Sequence, residues 1–118
     1  MRIISGTHKS RRIIAPKGLP ARPTTDYAKE GLFNFIGNEF NIEENDVLDL
    51  FAGIGGITFE FASRGAKKVT FIENDEDALK VLKKNVVNFS ISKSAFFKVE
   101  TFDMLTLSIV SCFIFFRP

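Results

Sequence analysis

Between residues 47 and 73 the chain alternates short apolar runs with helical spacing. Val47-Leu48-Asp49-Leu50-Phe51 is a β-branched and bulky run, and Gly53, Gly55 and Gly56 follow at once. An apolar stretch of helix length then runs from Gly56 to Arg64 and stops at Gly65; a second strand-like run covers Lys68 to Glu73. This order predicts strand, tight loop, helix and strand, the opening unit of a nucleotide-type α/β fold. Next, Leu79, Leu82 and Val86 recur at helical spacing and predict a helix over about Asp75 to Val87, capped by Asn74. Its acids come first and its lysines later, which suits the helix dipole. Short strands are expected at Ala95 to Val99 and at Ile109 to Phe116; the latter is apolar on both faces, as in the middle of a parallel sheet.

Upstream, a hydroxyl at Thr24 or Thr25 can cap a helix whose apolar face is Ala28, Leu32, Phe35, Ile36 and Phe40. Asn41 to Asp46 reads as a polar turn. At the amino end, Arg2-Ile3-Ile4 and Arg12-Ile13-Ile14 flank a cluster of turn residues and predict a small basic β-hairpin; His8 in that turn reads as a surface residue or RNA contact. Pro16, Gly18, Pro20 and Pro23 predict an extended linker. The expected organisation is a hairpin and linker over residues 1–23 and an α/β domain over 24–118. Short right-handed connections predict a parallel sheet in the order 3-2-1-4, with the hairpin projecting from it.

At 118 residues the chain has room for one domain, and 45% apolar with 25% charged residues is ordinary globular composition. Cys112 is the single cysteine, so no disulfide framework can form within the chain; a reducing, cytoplasmic setting and a buried thiol are expected. No signal peptide is visible, and the uncharged run Met104 to Phe116 falls short of a membrane span. With one histidine and one cysteine far apart, no metal site is expected. The net charge is +2, but residues 1–30 hold seven basic and two acidic side chains, whereas the remainder holds nine and twelve. Arg2, Lys9, Arg11, Arg12, Lys17 and Arg22 therefore make a basic arm suited to a polyanion such as RNA.

The acids decide the ligand class. A loop that cradles phosphates uses backbone N–H groups and the positive end of a helix, and Asp49 there would repel a phosphate. It favours a cationic cofactor without phosphate, and S-adenosylmethionine fits, with an ammonium, a sulfonium and an adenosine. Glu73, at the end of the second strand, is placed to accept hydrogen bonds from ribose hydroxyls. A nicotinamide dehydrogenase fragment is the competing reading. It is disfavoured by Asp49 and by Thr58, which stands where the dinucleotide pattern has its third glycine.

Met1-Arg2-Ile3-Ile4-Ser5-Gly6, Arg22-Pro23-Thr24-Thr25-Asp26, Lys29-Glu30-Gly31-Leu32-Phe33-Asn34 and Asp49-Leu50-Phe51-Ala52-Gly53-Ile54-Gly55 together resemble the RsmD family, bacterial 16S ribosomal RNA guanine-N2 methyltransferases. Ser63-Arg64-Gly65-Ala66 and Asn85 also match, and the resemblance extends to about residue 103. It implies a Rossmann-like S-adenosylmethionine-dependent methyltransferase fold. It also implies a cofactor site at Asp49, Phe51, Ala52, Gly53, Gly55, Glu73 and Asn74, with Glu100, or Asp103 in another register, near the adenine. The hairpin would approach ribosomal RNA or the small ribosomal subunit. The family's catalytic Asp (or Asn)-Pro-Pro-Tyr follows its fourth strand, whereas here Phe113-Ile114-Phe115-Phe116 leads into Arg117-Pro118. Arg117 is thus expected where the acid belongs, so the chain is expected to be a truncated, inactive form, or a non-catalytic RNA- or cofactor-binding remnant. Its fourth strand is expected to be exposed and able to drive self-association.

Overall fold

The computed structural model describes residues 1–19, 24–91, 99–100 and 114–117. Its element order is α1 (Asp26–Glu39), a 3-10 turn (Ile42–Glu44), β1 (Asp46–Asp49), α2 (Gly56–Ser63), β2 (Lys68–Ile72), α3 (Glu76–Phe89), β3 (Val99–Glu100) and β4 (Ile114–Arg117). The four strands form one sheet in the order β3-β2-β1-β4, as the sequence predicts. β1 and β2 pair in parallel with Asp49 opposite Phe71, and β2 and β3 pair in parallel with Ile72 opposite Glu100.

β4 departs from the all-parallel expectation. It runs antiparallel to β1, with Ile114 opposite Asp49 and Arg117 opposite Asp46. The physical reason lies in the connection. β3 ends and β4 begins at the same edge of the sheet, and only residues 101–113 join them. Crossing β2 and β1 along that edge covers about three strand spacings, roughly 14 Å. A parallel β4 would add a return along the strand, which the antiparallel direction avoids. Arg117 consequently stands at the amino edge of β1, away from the glycine loop, and not at the position the family motif would give an acid. The expected strand residues 95–98 and 109–113, together with Arg22, Asp103 and Cys112, lie outside the described residues.

Helix α2 is buried on nearly all sides, from Gly56 and Thr58 through Ser63. Its buried polar side chains Thr58, Glu60 and Ser63 all have partners, and through them the hairpin, α1 and β1 are attached to α2. α1 packs on it through Phe33, whose ring meets Phe61 edge-on at 4.6 Å between centroids. The apolar face expected for α1 is displaced: Lys29, Phe33 and Ile36 are buried, while Phe35 is 63% and Tyr27 87% exposed. A pattern that counts only apolar residues passes over Lys29, which is buried because a carboxylate meets it. Thr25 caps α1 by accepting the Ala28 N–H, while α3 is capped by Asp75 and not by Asn74.

The hairpin forms as expected, bridged between Arg2 and Arg12, but it does not project. Ile3 and Ile13 are buried in the same core as Phe33, Phe59, Phe71 and Leu82. Three side chains of the α/β body replace the strand partners that a lone hairpin lacks. Glu60 of α2 accepts the N–H groups of Ile4 (2.9 Å) and Ser5 (3.0 Å). Ser63 accepts the His8 N–H at 2.9 Å and donates to the Ser5 carbonyl at 2.6 Å. Asn85 of α3 both accepts the Ile14 N–H and donates to the Ile14 carbonyl, each at 3.1 Å, as a strand neighbour would. His8 shares in this docking, its Nε2 lying 3.0 Å from the Phe89 carbonyl.

Gly6 sits where hairpin and α2 touch. Its φ is +89°, and a Cβ there would lie 1.9 Å from the Ser63 carbonyl oxygen. Backbone cannot yield as a flexible side chain can, so Gly6→Ala combines a left-handed strain with a collision. We expect it to destabilise the fold by more than the ~1–3 kcal/mol of backbone strain alone. A thermal denaturation midpoint equal to that of the parent chain would contradict this packing.

Candidate functional site

The carboxyl edge of β1 and β2 carries the two acids singled out by the sequence. Asp49 ends β1, and Glu73 follows directly on β2. Asp49 is only 6% exposed. Its carboxylate accepts the Thr58 hydroxyl at 2.7 Å, and the nearby N–H groups of Phe51 and Thr58 favour its charged form. Thr58 is the third residue of α2, whose N-cap, Gly55, has no side chain to offer the free N–H groups. Asp49 takes that role from the neighbouring strand, and the positive end of the helix favours its charge. Burial nevertheless pushes its carboxyl above the ordinary value; the Thr58 and Phe51 hydrogen bonds act against this, and the Glu73 charge adds to it.

Glu73 holds the loop from the other side. Its Oε2 accepts the Gly53 N–H and its Oε1 the Asp75 N–H, both at 2.7 Å. Ala52 donates its N–H to the Ile72 carbonyl at 3.1 Å, which ties the loop to β2. Gly53 has φ +56° with open space where a Cβ would be, while a Cβ on Gly55 would strike the Phe59 ring at 2.4 Å. Gly53 thus leaves the backbone open to a ligand, and Gly55 allows α2 to start in a left-handed cap. Phe51 is 39% exposed beside them, whereas Ala52 is buried. Asn74 is exposed, and Glu100 closes β3 next to Ile72 on the same edge.

Asp49, Phe51, Ala52, Gly53, Gly55 and Glu73 are therefore gathered at one place. Two acids and a loop whose Gly53 N–H is already engaged suit a cationic, hydroxyl-bearing ligand and repel a phosphate. The residues fit S-adenosylmethionine. Among the described residues there is no group of three side chains able to hold a metal, and no helix is long and apolar enough to cross a membrane.

The basic residues divide in two. Arg2 pairs with Asp26 at 3.3 Å, and Arg11 lies over the Phe89 ring at 5.8 Å. Lys9, Arg12 and Lys17 are exposed and have no acidic partner among the described residues. Sequence reasoning passed over Glu60 and Lys29, an ion pair at 3.5 Å with both side chains fully buried. The one available signal was negative: a lysine and a glutamate each interrupt the buried stripe of a helix.

Comparison with known proteins gives the family. The family model described as conserved hypothetical protein 95 matches residues 1–112. The chain is similar to YlbH of Bacillus subtilis, an rRNA methyltransferase by name, at 42% identity over 80% of this chain and 50% of that protein. It is similar to the ribosomal RNA small subunit methyltransferase D of Haemophilus influenzae at 41% identity over 78% of this chain and 47% of that protein. The solved structure of a methyltransferase-type protein from Escherichia coli superposes with a TM-score of 0.74 at 32% identity, covering 92% of this chain and 56% of that one. The chain thus spans about half the length of the curated relatives it matches. Sheet order, glycine loop, paired acids and family match agree, and the chain belongs to the conserved hypothetical protein 95 family, the RsmD-type methyltransferases with a Rossmann-like fold.

Proposed function

We propose that this chain is the cofactor-binding part of an S-adenosylmethionine-dependent methyltransferase acting on guanine N2 of small-subunit ribosomal RNA. The observation that carries the reading is the pair Asp49 and Glu73, flanking an open glycine loop at the carboxyl ends of adjacent parallel strands. Asp49 would receive the ammonium of the methionine part and Glu73 the ribose hydroxyls. Gly53 would let the loop backbone approach the ligand, Phe51 would cover it, and Asn74 and Glu100 would border the adenosine. When bound, the cofactor supplies an electrophilic methyl group. The chain's own contribution is to hold and orient that group, which acts through position more than through acid–base strength. A dehydrogenase reading has no support from the loop, where Asp49 would face a pyrophosphate.

Residues 1–23 would serve as the RNA-contacting arm and residues 24–118 as the cofactor domain, with the cytoplasm as the site of action. β4 lies at the edge of the described sheet, and an unpaired edge can template association between copies. Equilibrium binding of labelled S-adenosylmethionine, followed by methyl transfer to small-subunit RNA, tests the function. Binding without transfer would identify a cofactor-binding remnant, and no binding would refute the reading.

For the arm, the structure changes which residues to test. Arg2 and Arg11 are engaged in docking the hairpin. Lys9, Arg12 and Lys17 are expected to supply the phosphate contacts. Replacing all three should reduce the slope of log affinity against log salt by about 2–3, at roughly 0.7–0.9 per lost contact. RNA affinity indifferent to salt and to these replacements would move the RNA surface elsewhere.

A further inference from the structure

We infer that Thr58 is a positioning residue for the cofactor, holding the Asp49 carboxylate as an oriented anion at the mouth of the glycine loop. The inference rests on the reading of that loop as an S-adenosylmethionine site. At this position the dinucleotide pattern has a glycine, so that helix and strand can approach closely. Here a fully buried threonine is accommodated, and its hydroxyl donates to Asp49 Oδ2 at 2.7 Å. Both partners are buried, and no buried side-chain nitrogen or oxygen among the described residues lacks a hydrogen-bond partner.

The number of acceptor positions gives this bond its consequence. A carboxylate offers about four lone-pair positions. Thr58 Oγ1 takes one of them, on Oδ2, from a fully buried rotamer. That bond fixes the rotation of the carboxylate about its Cβ–Cγ axis, and the Phe51 and Thr58 N–H groups add to the field that favours its charge. A cation arriving at the loop would therefore meet a carboxylate already held in one orientation. Without the hydroxyl, the carboxylate loses its one side-chain donor and is freer to rotate.

The hydroxyl also favours the charged form of Asp49. The groups around it explain why that matters. β2 contributes the Glu73 charge, which opposes ionisation; α2 contributes Thr58 and the positive end of its backbone; β4 places Ile114 opposite. No described side chain offers Asp49 a cation, so the cofactor itself would be its counter-charge.

The test uses Thr58→Val, which keeps the shape and removes the hydroxyl, and Thr58→Ser, which keeps the hydroxyl. S-adenosylmethionine affinity is measured by calorimetry across a pH series, and the Asp49 carboxyl is titrated by carbon NMR in the free chains. Thr58→Val should weaken binding at neutral pH about tenfold, the effect of losing one charge-assisted hydrogen bond. It should also move both the acid limb of the affinity curve and the Asp49 titration to higher pH, and Thr58→Ser should restore both. A valine variant with parental affinity and an unmoved Asp49 titration would overturn the inference, as would a serine variant that restores neither. Failure of the parent chain to bind the cofactor would refute the cofactor reading instead. The NMR titration would still show whether the hydroxyl controls the acid.

Discussion

Glu60→Ala is expected to be the most damaging single substitution in this chain, costing about 3–5 kcal/mol, the usual effect of removing one partner of a buried ion pair. Glu60 is fully buried and receives four groups. They are the Ile4 and Ser5 N–H groups, the Lys29 ammonium at 3.5 Å and the Arg64 guanidinium at 3.0 Å. Lys29 in turn donates to the Arg2 carbonyl. Truncation leaves a buried ammonium without its counter-charge and frees the first strand of the hairpin from α2. Burial already lowers the Lys29 ammonium below its ordinary value, with the Glu60 charge acting against this. Without Glu60 that opposing effect is gone and the lysine moves further toward the neutral form. Single domains hold about 5–15 kcal/mol of stability in all, so this loss would bring many of them close to unfolding. Denaturant titration measures it, and hydrogen exchange at the Ile4 and Ser5 amides locates it. Glu60→Gln keeps an acceptor oxygen for these amides and should cost less. Equal, small costs for both variants would show that the network contributes little.

Asp49→Ala is expected to weaken S-adenosylmethionine binding ten- to a hundredfold, about 1.5–3 kcal/mol for a charge-assisted hydrogen bond. The expected pH dependence follows from the raised carboxyl. Burial makes the free folded chain take up a proton at Asp49 more readily than the unfolded chain does. The folded chain then binds more protons, so this group's contribution to stability falls as pH rises from the unfolded carboxyl range, near about 3.9, through the folded value. In the proposed site cofactor binding would run the other way, because the ammonium would need the ionised acid. Affinity should fall as pH drops through the raised value, at a higher pH than an exposed aspartate would give. Glu73→Ala should weaken binding to a similar degree for a mixed reason. It would remove the proposed ribose acceptor and also release the Gly53 and Asp75 N–H groups. Calorimetry at two pH values on each side of the transition checks both variants. Unchanged affinity in both would place the cofactor elsewhere.

Much of this molecule follows from local rules. The run ending at Asp49, the three glycines and the run ending at Glu73 dictate a parallel βαβ unit with two acids at one edge, because period-two and helical spacing leave few alternatives. The strand order and the hairpin pairing between Arg2 and Arg12 follow from short connections and turn residues. The family, too, was legible in motifs spread from residue 1 to about residue 103. The tertiary structure decided the rest. The direction of β4 depends on which sheet edge its connection must reach, and residue types do not encode that distance. The buried face of α1 depends on a lysine that a polarity pattern assigns to solvent, because burial of a charge is set by a partner 31 residues away in sequence. The hairpin lies against the body because Glu60, Ser63 and Asn85 satisfy its backbone, and hydrogen bonds over such separations have no signature in spacing. The same holds at the site. The two acids could be read from the chain, but the Thr58 bond that orients one of them and the Gly53 and Asp75 bonds that orient the other arise only when loop, helix and strand are brought together.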